Sequence, residues 1–97
     1  MTQADLVVTP ADIEAKILAL LAARRDGATI CPSEVARALA SDGAPWRKLM
    51  PRVRDVAQRM AEDHCLSVTR GGVPVAATSP GGPIRLGRPV ERTAPER

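Results

Sequence analysis

The sequence predicts an α+β domain, three helices with a small antiparallel sheet, and three observations carry that prediction. Apolar residues recur at helical spacing in three stretches of the first two thirds of the chain. After His64 the helical period gives way to short β-prone segments. Glycine, proline, aspartate and serine gather at the joints between these stretches, where the chain has to turn.

The first helix has the clearest start. Thr9 is suited to accept from the first free backbone N–H groups, Pro10 brings a helical φ to the first turn, and Asp12 puts a carboxylate at the positive end of the helix dipole. Ile13, Ile17, Leu20 and Leu21 then form one apolar stripe, with Leu18 off it, and Asp26-Gly27 stops the helix. Thr29-Ile30 is a β-prone dyad. Pro32 restarts helical geometry after Cys31, and Val35, Ala36 and Leu39 give a second helix of about eight residues. The breaker-rich segment at 41–45 ends it.

From Trp46 to His64 the apolar positions Trp46, Leu49, Met50, Val53, Val56, Ala57 and Met60 keep a helical period that Pro51 interrupts. A proline is tolerated in a first turn and not in a helix interior, so a short turn over 46–49 is expected to precede a long third helix from about Pro51. Trp46, the only large aromatic residue, is expected to be a buried anchor at its entry. Strands are expected at 66–69, 73–75 and 83–86, the first two joined at Gly71-Gly72. This order is that of a winged helix-turn-helix, in which a β wing packs beside three helices.

The chain has 97 residues. Residues 1–8 and 88–97 read as flexible ends around one domain at 9–87, with no room for a second. With one Trp, no Phe and no Tyr, the core has to be aliphatic, and ligand pockets or single-strand platforms built on rings are disfavoured. The longest uncharged apolar run, residues 17–23, is far short of the roughly 20 needed to span a bilayer. Asp5 stands where an export signal would carry basic residues, so neither membrane insertion nor export is expected. Two cysteines make no disulfide framework, and a reducing cytoplasm is the expected location.

The segments TICPSEVARAL, WRKLMPRVRDVAQRM, VTRGGVPV and GPIRL together resemble a family of short bacterial proteins catalogued as domain of unknown function 3253. The resemblance spans about residues 13–86 and implies a winged-helix-like fold in the cytosol without a settled activity. After Val75, where members often carry Asp-Pro, this chain has Ala76-Ala77.

Charge is unevenly spread. Residues 1–44 hold four basic and six acidic side chains, a net of −2, and residues 45–97 hold ten basic and five acidic ones, a net of +5. A basic C-terminal half suits a negatively charged partner, and the preference for Arg over Lys suits bidentate contact with phosphates and guanine edges. The same composition also arises without function in a GC-rich genome. Because the third helix of this architecture enters the major groove, Arg52, Gln58 and Arg59 are assigned to base edges, and Arg47, Lys48 and Arg54 to phosphates. Arg70 beside the glycine turn and Arg85 after the last loop would extend this surface, with Arg88 next to it. Asp55 and Glu62 on the same helix face argue instead for an ordinary solvated surface with pairs such as Asp55 and Arg59.

Cys31, His64 and Cys65 fall short of the four ligands of a structural zinc site, so no metal is expected, nor any other cofactor. The two cysteines read as small buried residues, with a thiol pair open to them if the Thr29-Ile30 dyad pairs with the strand at 66–69. His64 adjoins Cys65 without an orienting acid and reads as a helix-terminal residue, so no enzyme is expected. Double-stranded DNA binding is the expected function. A non-catalytic protein-interaction module on the same scaffold is the alternative.

Overall fold

The computed structural model describes residues 8–25, 27–40 and 45–89. The expected flexible ends lie outside these residues except for Val8, Arg88 and Pro89, and most of the 41–45 breaker segment lies outside them as well. The described chain is α+β, with three helices and a three-stranded antiparallel sheet in a winged-helix-like arrangement.

Helix α1 spans Pro10–Ala22. Its start is a reciprocal capping box: Asp12 N–H donates to Thr9 Oγ1 at 3.1 Å, and Thr9 N–H donates to Asp12 Oδ2 at 3.0 Å. Ile13, Ile17 and Leu21 are its buried stripe. Helix α2 spans Pro32–Leu39 and buries Pro32, Val35 and Ala36. A 3-10 turn at Trp46–Leu49 runs directly into α3, Met50–Glu62, so the third helix begins one residue before the expected proline. Pro51 sits in the first turn, where a helix has no internal use for the missing N–H. Val53, Val56, Ala57 and Met60 face the core.

Helix α3 closes on a left-handed residue. His64 has φ 63°. Its N–H donates to Ala61 O at 3.0 Å, and Cys65 N–H donates to Met60 O at 2.8 Å, the double closure of a Schellman motif. Histidine tolerates this conformation better than a β-branched residue, although glycine is the residue that does so freely.

Strands β1 (Ser67–Arg70), β2 (Val73–Pro74) and β3 (Arg85–Gly87) are ordered β2-β1-β3. Arg70 pairs with Val73 around Gly71-Gly72, whose φ values of 60° and 85° are those of a type I′ hairpin turn. Compared with the expected segments, β1 and β3 begin later, with Leu66 and Ile84 buried just ahead of the ladder. Ile30 forms an isolated bridge with Leu86, each N–H donating to the other's carbonyl at 2.8 Å. Ile30, Leu86, Ile84 and Val68 from the sheet side then meet the helix stripes in one aliphatic core. Each fully buried Ile or Leu stabilises the fold by about 1.5–3 kcal/mol relative to exposure.

Three expectations need correction. Trp46 is only half-buried: it packs against the rim of the core, since a 3-10 turn ahead of α3 does not reach inside it. Cys31 is half-buried at the entry to α2 and Cys65 is exposed just past the end of α3, so neither is a buried core residue. Ile30 pairs with β3, and β3 stands between it and β1, so the Thr29-Ile30 segment does not pair with β1 as a thiol link would require.

Candidate nucleic-acid interface

A helical side chain can meet a large partner only if it points outward and its polar atoms are free, so each candidate is placed by exposure and by what it already bonds. Ten residues, 45–54, cover the 3-10 turn and the first turn of α3; they contain Arg47, Lys48, Arg52 and Arg54 and no carboxylate. Arg47, Lys48 and Arg52 are exposed and Arg54 is half-buried. Arg52 lends Nη1 to the Val8 carbonyl at 3.1 Å, which ties the chain ahead of α1 to α3 and leaves its other nitrogens available. Farther along, the exposed row continues with Asp55, Arg59 and Glu62, so the sign alternates from Asp55 onward.

Gln58 is placed differently from a base-reading residue. Its Oε1 accepts from Ala77 N–H at 2.7 Å and its Nε2 donates to Glu62 at 3.0 Å. Ala77 is fully buried, so Gln58 supplies the side-chain acceptor that its backbone N–H needs. The Ala76-Ala77 departure thus falls at the place where the loop is fastened to α3.

The two arginines expected to flank the groove are also tied inward. Arg70 donates through Nε to Gly82 O and through Nη2 to Ser79 O, both at 3.1 Å, and so holds the loop between β2 and β3 instead of reaching out from the hairpin tip. Arg85 donates to Thr29 Oγ1 at 2.8 Å, to Thr29 O at 3.0 Å and to Cys31 Sγ at 2.6 Å. It locks the Ile30 bridge onto β3. Arg88, expected in the flexible tail, donates to Leu21 O at 2.9 Å and satisfies a carbonyl at the end of α1.

The structure also brings in a residue that no local pattern singles out. Arg37 of α2 lies with its Cζ 4.5 Å from the Trp46 ring centroid, and Arg47 lies at the same distance. Nothing in helical spacing connects positions 37 and 46, which lie on different elements. Among the described residues, no group of three or more His, Cys, Asp or Glu side chains comes together, and no helix is long and apolar enough to cross a membrane.

The model of one family, Protein of unknown function (DUF3253), matches residues 10–89, nearly the whole described domain. The chain belongs to that family. No curated protein matches it.

Proposed function

We propose that this DUF3253 protein binds double-stranded DNA through the leading half of α3. One observation carries the reading: the 3-10 turn and the start of α3 hold three exposed cations, Arg47, Lys48 and Arg52, and the half-buried Arg54, with no carboxylate among residues 45–54, at the end of the helix that a winged helix presents to the major groove. Arg47, Lys48 and Arg54 serve the phosphates. Arg52 and Arg59 are the base-reading candidates, Gln58 having both amide atoms engaged elsewhere. Arg70 and Arg85 add little, since their guanidinium groups are occupied within the fold. The protein acts in the bacterial cytoplasm as a regulator or accessory factor, without a catalytic step.

Titration of a mixed-sequence duplex at several salt concentrations tests this. Three phosphate contacts predict that log affinity falls with log salt at a slope of about −3 or steeper. Asp55→Ala removes a carboxylate from the contact face and strengthens non-specific binding. A wild-type protein without salt-dependent binding at low ionic strength contradicts the reading. That outcome favours a protein-interaction module, for which the exposed Leu18 on α1, at 46 % relative accessibility, is the place to begin.

A further inference from the structure

We infer that Arg37 and Arg47, gathered on the ring of Trp46, form a two-armed phosphate clamp, so that α2 as well as α3 touches the nucleic-acid backbone. The inference rests on the duplex-DNA reading and adds to it a contact residue, Arg37, and a role for the tryptophan. Trp46 is the only aromatic residue in an otherwise aliphatic chain, and it is not spent on the core. It packs against the core rim and takes a guanidinium from each of two elements, both with Cζ 4.5 Å from the ring centroid. The two cations are therefore no farther apart than twice that distance.

The ring attracts each guanidinium without using its N–H donors. Among the described residues neither Arg37 nor Arg47 has an ion-pair partner, because Glu34, one turn before Arg37 on α2, is held by Arg24 at 2.8 Å and also accepts from Cys31 N–H at 3.5 Å. Two like charges are thus pre-positioned, with their donors unspent, directly beside the cationic start of α3. An anion with several acceptor oxygens, available in series along a backbone, is the partner that satisfies both. In helix-turn-helix docking the helix ahead of the recognition helix crosses the sugar-phosphate backbone, which is where Arg37 would then lie.

The test is fluorescence anisotropy of a labelled mixed-sequence duplex of about 20 base pairs, measured across a salt series with the full-length chain. Arg37 adds a contact to the three assigned above, so the wild-type slope is near −4 and falls to near −3 in Arg37→Ala and Arg37→Gln, with several-fold weaker binding at low salt. Arg37→Lys keeps the wild-type slope. Trp46→Leu, which keeps an apolar side chain at the core rim, weakens binding by releasing both arms, and the emission of Trp46 in the wild type changes on saturation with DNA. Circular dichroism establishes that each variant is folded, and Arg37 is exposed on α2, so all three of its substitutions leave the spectrum unchanged. An unaltered slope in folded Arg37→Ala and Arg37→Gln, with the wild type still binding, overturns the clamp and leaves the DNA reading in place. Loss of all salt-dependent binding in the wild type removes both.

Discussion

The arginines on the sheet side and the arginines leading into α3 carry the same charge and live in opposite circumstances. Arg70, Arg85 and Arg88 each donate to backbone carbonyls and hold a loop, a strand bridge and a helix end. Arg47 lies on a tryptophan ring, and Lys48 and Arg59 project into solvent. A guanidinium that already satisfies buried or half-buried carbonyls contributes to stability, and moving it to a phosphate would expose those carbonyls. One without such partners contributes little to folding and keeps its donors for a ligand. The internally engaged cations therefore have to be set aside before positive charge is read as a candidate binding surface.

Four substitutions bear on that contrast. Arg85→Ala has the largest expected effect, a loss of about 2–3 kcal/mol in chemical denaturation, because a half-buried charged donor leaves Thr29 and the Ile30 bridge. Its salt slope for DNA stays that of the wild type. Gln58→Leu follows at about 2 kcal/mol, since the buried Ala77 N–H loses its acceptor. A stability equal to wild type in either variant would show that the sheet-side polar groups are not structural.

His64→Gly probes the joint between the two regions. Relief of a left-handed backbone raises stability by about 1 kcal/mol, read as a higher denaturant midpoint, and DNA affinity is unaffected. The smallest change belongs to Arg47→Ala, whose stability stays within about 0.5 kcal/mol of wild type while its salt slope becomes shallower by about one unit. A destabilisation as large as that of Arg85→Ala would erase the distinction between the two sets.

Local chemistry made much of the fold legible. Thr9, Pro10 and Asp12 mark the start of α1 because a capping box is made within four successive residues, and Pro51 marks the first turn of α3 because that is where a helix tolerates a missing N–H. The glycine pair at 71–72 supplies the two positive φ values that its hairpin demands. The site was legible only in its leading segment, where four cations lie within ten residues.

What escaped the sequence is long-range. Arg85 reaches Thr29 across 56 positions and Arg88 reaches Leu21 across 67, and a backbone carbonyl as acceptor leaves no residue signature to search for. Gln58 looks like a base reader because nothing in its surroundings along the chain announces the buried Ala77 N–H. Trp46 reads as core from its place at the head of an apolar period, yet the turn before α3 leaves it at the core rim with two arginines. Its truncation should therefore cost less than the roughly 3–5 kcal/mol of a fully buried aromatic.

The most direct test of a DNA-binding leading half of α3 is the salt dependence of duplex binding by the wild type beside a triple variant, Arg47→Ala with Lys48→Ala and Arg54→Ala. A wild-type slope of about −3 or steeper is expected, with a slope shallower by about three units in the triple variant, at little cost in stability. Equal slopes for the two folded proteins, or no salt-dependent binding by the wild type, would contradict this reading.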